Sequence, residues 1–329
     1  TEMLNGQNLK GYYLPLGATN IMTTGHEYDD AFVVWDWTRV PGTTAVANQS
    51  TADLRWYLFG SNQFGGGVSN AHNGVMAYEH AYQGVEARKA YFFMGDAMVC
   101  MGSGIKAART QEVRTSVNQC LANGEVTYGL SGHTYRLTNN LSDKNIDWAY
   151  HDNVGYIFPQ NESVTLRKAK QTGAWRELEV TASDKPVTKE IFSLWVSHGT
   201  TPQHEDYCYI IMPDKPLSYF TDKKFENEIK IIVNSEQIQA ISNENKRQYA
   251  AVFYEPGEIR FAEDLVVAVN KKVIIYIEKK DKQYEIAVAD PLYKEQSLQL
   301  SMNGEQINIV FPSGDYSGSS VIKHITEKH

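Results

Sequence analysis

Several strand-length stretches of this chain are apolar at odd and even positions alike, and that pattern restricts the fold more than any other feature. Ala31-Phe-Val-Val-Trp35, Lys89-Ala-Tyr-Phe-Phe-Met94, Ala97-Met-Val-Cys-Met101, Glu190-Ile-Phe-Ser-Leu-Trp-Val196 and Tyr207-Cys-Tyr-Ile-Ile-Met212 are short, rich in aromatic and β-branched residues, and bounded by Gly, Pro or Asp. A strand alternates its side chains between two faces, so apolar residues at both parities require cover on both sides. Turn signals recur between such runs, at Pro41-Gly42, Gly95-Asp96, Asn123-Gly124, Asn303-Gly304 and Ser313-Gly314. Long amphipathic helical patterns are absent. The expected class is all-β, with antiparallel sheets packed as a sandwich.

At 329 residues the chain exceeds what one core usually fills. A seam is expected near residues 213 to 228, where Pro213-Asp-Lys-Pro216 precedes the charged stretch Asp222-Lys-Lys-Phe-Glu-Asn-Glu228. The boundaries follow as a larger β domain over residues 1–220 and a smaller β-sandwich over residues 221–329. The second part has its own texture of β-branched strands, such as Lys272-Val-Ile-Ile-Tyr-Ile277 and Ile307-Asn-Ile-Val-Phe311.

Charge and cysteine usage exclude several function classes. The 31 Lys and Arg against 39 Asp and Glu give a formal charge of −8, which argues against nucleic acid as a partner. No apolar run approaches the ~20 residues of a membrane span, so no membrane partner is expected. The opening Thr1-Glu-Met-Leu-Asn5 is polar and lacks the apolar core of a secretory leader, and Thr1 reads as a processed boundary. Cys100, Cys120 and Cys208 stand at wide, irregular spacings and are expected to be buried free thiols. His72, His133, His151, His198 and His204 show no zinc-ligand spacing, so neither a metal nor another cofactor is expected.

The segment Gly25-His-Glu-Tyr-Asp-Asp-Ala-Phe-Val-Val-Trp-Asp-Trp37 carries the densest chemistry. It places His26, Glu27, Asp29 and Asp30 beside Trp35 and Trp37, and aromatic faces next to acids are what proteins use to hold a sugar ring. On a strand the two tryptophans would share a face, one filling the core and the other reaching the rim. The carboxylates serve as an acid/base pair, as metal ligands or as solvated loop charges, and the spacing of a calcium loop is absent. Gly65-Gly-Gly67 reads as a flexible loop whose backbone approaches either a ligand or another strand. His151-Asp152 is either a His–carboxylate dyad or a turn between two buried strands.

Taken in order, many segments resemble the β-region of the family-8 polysaccharide lyases that act on chondroitin, hyaluronan and xanthan. They include Gly25-His-Glu-Tyr-Asp-Asp30, Val34-Trp-Asp-Trp37, Val40-Pro-Gly-Thr-Thr44, Phe64-Gly-Gly-Gly-Val-Ser69, His151-Asp-Asn-Val-Gly-Tyr-Ile-Phe-Pro159, Gln171-Thr-Gly-Ala-Trp175 and Trp195-Val-Ser-His-Gly199. The resemblance implies a large β super-sandwich followed by a small C-terminal β-sandwich, in a secreted or periplasmic bacterial protein that degrades an acidic glycosaminoglycan-type polysaccharide. It also implies a preceding helical domain that supplies the Asn, His, Tyr and Arg of a β-elimination, and that constellation has no counterpart before Gly25.

By the same resemblance Glu27 is a supporting carboxylate on the β side of the cleft. Asp30 stands at a substrate-contacting position, with His26, Trp35 and Trp37 as further substrate-binding candidates. Some family members bind calcium in the stretch matching residues 57 to 70. Leu58, Gln63 and Asn70 stand there in this chain, so no metal site is implied. The expectation is a β-domain that walls a lyase cleft and is inactive alone. A free-standing carbohydrate-binding module and a purely structural scaffold are the alternatives.

Overall fold

A computed structural model describes residues 4–49 and 62–327. Leu58, and the start of the stretch leading to the glycine triplet, lie outside the described residues. Strands β1 (Thr44–Val46), β2 (Gly65–Ser69), β3 (Gly74–Tyr82), β4 (Val85–Met94), β5 (Ala97–Ala107) and β6 (Glu112–Leu121) open the chain. They are followed by β7 (Thr127–Leu130), β8 (His133–Arg136), β9 (Leu141–Asp143), β10 (Ile146–His151), β11 (Val154–Ile157), β12 (Val164–Gly173), β13 (Val187–Thr200) and β14 (Glu205–Pro213). A short helix α1 (Leu217–Thr221) leads to β15 (Lys230–Asn234), β16 (Ile238–Asn243), β17 (Gln248–Phe253), β18 (Gly257–Ala262) and β19 (Leu265–Val269). The last strands are β20 (Val273–Lys280), β21 (Gln283–Ala289), β22 (Ser297–Met302), β23 (Glu305–Val310) and β24 (Val321–Thr326).

These strands form four antiparallel sheets stacked as layers. The order is β1-β6-β13-β12-β9 in the first, β2-β3-β4-β5-β14-β11-β10-β7-β8 in the second, β15-β16-β17-β20-β21-β24 in the third and β18-β19-β22-β23 in the fourth. Each gap between layers holds a hydrophobic core. Tyr91, Tyr207, Tyr209 and Ile211 face the first core, while Ala90, Phe92, Cys208, Ile210 and Met212 of the same strands face the second. On β17 and β20, Ala250, Val252, Ile274 and Tyr276 complete the second core. Tyr249, Ala251, Phe253, Ile275 and Ile277 fill the third. The two inner sheets are therefore covered on both faces, which is why their strands are apolar at both parities. A fully buried Ile, Leu or Val contributes about 1.5–3 kcal/mol, so these layers hold most of the driving force. Cys100, Cys120 and Cys208 are buried free thiols inside them.

Two local expectations are corrected. The apolar run Ala31–Trp35 is not a strand: Phe32–Val34 and Trp37–Arg39 are turns of 3-10 helix. Asp36 winds the second turn, its carboxylate accepting from Thr38 N at 3.0 Å and Thr38 Oγ1 at 2.7 Å while pairing with Arg39 at 2.6 Å. The run is apolar because it packs on β12 and β13, not because it is extended. The glycine triplet is not a loop either but the edge strand β2, in register with β3. Gly65 N donates to Pro291 O at 3.1 Å, and a Cβ on Gly66 would come within 3.3 Å of Pro291. The close approach is to the second sandwich.

A lysine sits inside the first core. Lys89 is wholly buried, donates to Gly42 O at 2.5 Å, and lies 5.9 and 5.8 Å from the rings of Tyr78 and Tyr91. Burial pushes its pKa down to about 7. Between pH 7 and about 10 the unfolded chain carries a proton on this group that the folded chain lacks, so its contribution makes stability rise with pH across that window. Urea unfolding of Lys89→Met should lose this slope, on the order of 4 kcal/mol over the window. A variant with the parent's slope would show that Lys89 is charged in the fold.

Candidate functional site

Residues 17–42 form a loop whose two ends are fastened together between the five-stranded and nine-stranded sheets. Thr19 N donates to Pro41 O at 2.9 Å, and Gly42 N to Ser116 O at 2.7 Å. Tyr78 Oη donates to Leu16 O at 2.8 Å and Tyr91 Oη to Gly17 O at 3.0 Å. Both end glycines are required. Gly17 has φ +83° and a Cβ there would lie 2.3 Å from Tyr78 Oη, while Gly42 has φ +84° and its Cβ would lie 2.4 Å from Gly17 O.

The tip is fixed from within by Glu27. One carboxylate oxygen accepts from Thr23 N (2.8 Å), Thr23 Oγ1 (2.9 Å), Thr24 N (2.7 Å) and Thr24 Oγ1 (3.0 Å), and the other from Gly25 N (3.0 Å). Glu27 is only 2% exposed. Burial pushes its pKa up, but the hydrogen bonds from Thr24 and Thr23 outweigh that and bring it to about 2. Leu121 N donates to Glu27 O at 2.9 Å, and Tyr28 Oη links Ile21 N to Asn118 Oδ1, so the tip is docked on the end of β6.

The structure brings His26, Asp29 and Asp30 together as an exposed rim above this buried carboxylate. His26 Nδ1 and Asp29 Oδ2 are 2.8 Å apart, both largely solvated, a pairing of little energetic weight. Asp30 adopts φ +53°, which turns the chain into the Phe32–Val34 helix. The tryptophans lie apart from the rim. Trp35 is 5% exposed within the first core, edge-on to Phe32 and Tyr28, and offers no open face. Trp37 is half-buried and turns its ring nitrogen inward to Phe32 O at 3.1 Å.

The His151-Asp152 pair resolves as a turn. His151 points inward against Phe192, 4.5 Å between ring centroids, with Cys120 Sγ 3.8 Å away; burial, then Lys168, lowers its pKa to about 4. Asp152 points out and accepts from Asn123 Nδ2 at 3.1 Å. Asn123, Asp152 and Lys168, whose Nζ donates to Gly124 O at 2.8 Å, extend the polar surface at the β6 end near the rim. No spacing rule joins them, because the packing of the five-stranded sheet on the nine-stranded one makes them neighbours. Among the described residues no group of three His, Cys, Asp or Glu side chains is placed to hold a metal.

Comparison with known proteins agrees with this architecture. Polysaccharide lyase family 8, super-sandwich domain, matches residues 1–224, and polysaccharide lyase family 8, C-terminal beta-sandwich domain, matches residues 230–299. Chondroitinase-AC of Pedobacter heparinus is 32% identical over 98% of the chain and 47% of its own length. Hyaluronate lyase of Staphylococcus aureus is 26% identical over 88% of the chain and 36% of its own length. The chain thus spans less than half the length of these curated relatives. A solved chondroitinase AC lyase structure superposes with a TM-score of 0.91 at 30% identity, covering 98% of this chain and 49% of that one. Paenibacillus xanthan lyase shares the fold, with a TM-score of 0.89 at 20% identity over 100% of this chain and 34% of that one.

Glu27 should act on stability at acid pH. Its folded pKa lies below the ordinary carboxylate value, so its contribution is complete above about pH 4.5 and is lost as pH falls toward 2. Glu27→Gln should weaken the fold by about 1–3 kcal/mol at neutral pH and flatten the pH dependence of the urea midpoint in that window. An unchanged midpoint and slope would mean the loop holds without the carboxylate.

Proposed function

The chain belongs to polysaccharide lyase family 8, and on that premise we propose that it is the β-side wall of a lyase cleft for a uronic-acid polysaccharide of the chondroitin or hyaluronan class. The observation carrying this reading is the collinear likeness to Chondroitinase-AC over 98% of the chain, spanning both sandwiches. In the reaction the uronate carboxylate is neutralised, a base removes the C5 proton, and the C5–H electrons form the C4–C5 double bond. The C4–O bond breaks as that double bond forms, and the departing oxygen takes a proton. The products are an unsaturated uronate and a new chain end.

This chain's part is to position. The loop tip is preformed and stiff, and it sets a rim of His26, Asp29 and Asp30 along one side of the substrate. Glu27 is a positioning residue that keeps a negative charge just beneath that rim, where it favours cationic groups of a facing domain. The base, the proton donor and the cation that neutralises the carboxylate come from a helical domain preceding these residues, so residues 1–329 by themselves do not turn over. A positioned acid or base contributes roughly 10²–10⁴-fold, and a wall without one falls short by at least that much. A polysaccharide of this class does not cross a bilayer unaided, which supports a secreted or periplasmic protein. A sugar-binding module that stacks rings on Trp35 is disfavoured by that residue's burial.

The test of this role is Glu27→Gln in the protein that carries both halves. We expect kcat to fall at least about tenfold, the weight of one charge-assisted contact, with KM little changed and the pH–rate profile displaced. A purely structural Glu27 would lower the yield of folded protein and leave kcat and the profile of the folded fraction as they were.

A further inference from the structure

The outer face of the five-stranded sheet holds a second group of charged residues, separate from the His26–Asp30 rim. Leu166, Leu194 and Val196 point into the first core, so alternation places Arg167, Ser193 and Trp195 on the outside. In the register of the sheet Arg167 faces Ser193, Ser116 faces Trp195 and Arg114 faces Ser197, all on this side. Arg39 reaches the same place from its 3-10 turn, held by Gln119 Nε2, which donates to Arg39 O at 3.0 Å. The guanidinium carbons of Arg39 and Arg114 lie 4.6 and 5.2 Å from the centre of the Trp195 ring. Trp195 is 8% exposed, so it serves as a platform for guanidinium groups and not as a stacking face for sugar.

The charges on this face do not balance. Arg39 is matched by Asp36 at 2.6 Å and Arg114 by Glu112 at 2.5 Å. Arg167 has no carboxylate at ion-pair distance among the described residues, and its Nε is buried without an acceptor. It lies close enough to add to the repulsion on Arg39. Three guanidinium groups against two carboxylates leave one positive charge, on a chain whose formal charge is −8. Beneath them Ser193 and Ser116, 1% and 2% exposed, have side-chain oxygens without hydrogen-bond partners. A half-buried cation beside two like charges, with donors unspent, is costly unless an anion completes it.

We infer that this face is a binding site for a single oxyanion, the carboxylate or sulfate ester of an acidic saccharide, with Arg167 as its principal ligand. The oxyanion accepts from the Arg167 guanidinium and offsets the repulsion among the three arginines. The saccharide as carrier rests on the lyase reading above; the demand for an anion does not. On a long polysaccharide such a site would hold the chain outside the cleft and raise its local concentration there.

Isothermal titration of the chain with a chondroitin sulfate tetrasaccharide, a hyaluronan tetrasaccharide and sodium sulfate tests this without turnover, so its failure and that of the lyase reading are distinguishable. We expect saccharide binding that weakens at least about tenfold in Arg167→Gln, the loss of one charge-assisted contact. It should persist in Arg167→Lys and stay unchanged in Lys106→Gln, a neutralised exposed lysine on the other sheet. Equal affinity for the two saccharides assigns the carboxylate, and a preference for the sulfated one assigns the ester. Thermal unfolding controls the fold: without ligand Arg167→Gln should melt no lower than the parent, and the saccharide should raise the melting temperature of the parent more than that of Arg167→Gln. Parent-like saccharide binding by Arg167→Gln, binding of inorganic sulfate only, or no saccharide binding by the parent would each overturn the inference.

Discussion

Burial of the two inner sheets on both faces is the constraint from which the rest of the molecule follows. A sheet covered on one side can present polar residues on the other; the nine-stranded and six-stranded sheets cannot, because each is shared between two cores. Function is therefore pushed to the loops at strand ends and to the outer face of the end layer. The Gly17–Gly42 loop uses the first option and the arginine face of β6, β12 and β13 uses the second.

The loop is stiff because polar groups inside the core are spent on it. Tyr78, Lys89 and Tyr91 reach up from β3 and β4 to the carbonyls of Leu16, Gly17 and Gly42, so hydrogen bonds that would otherwise be lost on burial fasten the loop's ends. At the tip Glu27 does the same from the loop side, turning its carboxylate toward Thr23, Thr24 and Gly25. On the proposed reading the loop is a wall that meets a polymer, and ordering it beforehand spares that entropy at binding.

The layers were legible in the sequence because double-sided burial leaves a mark: Tyr207 to Met212, strand-length and apolar at both parities, reads as a strand covered twice, and is one. The site was legible in part. Glu27, Asp30 and their neighbours stand out as a cluster, yet their directions do not, since a short apolar run such as Ala31–Trp35 reads the same whether extended or wound into 3-10 turns. The winding comes from Asp36, whose carboxylate holds Thr38 N two residues on. The Arg39–Arg114–Arg167 group was invisible, because its members come together through strand register and one crossing turn, at positions 75 and 53 apart in sequence.

Where the chemistry resides is the central question for a chain of this kind. The most direct measurement is the appearance of unsaturated uronate, followed by absorbance, when chondroitin or hyaluronan is incubated with residues 1–329 and then with the same chain joined to the helical domain proposed to precede it. The account predicts no product from the chain alone and steady product formation from the joined protein. Turnover by residues 1–329 unaided would contradict it and place the base, the acid and the neutralising cation within the β layers.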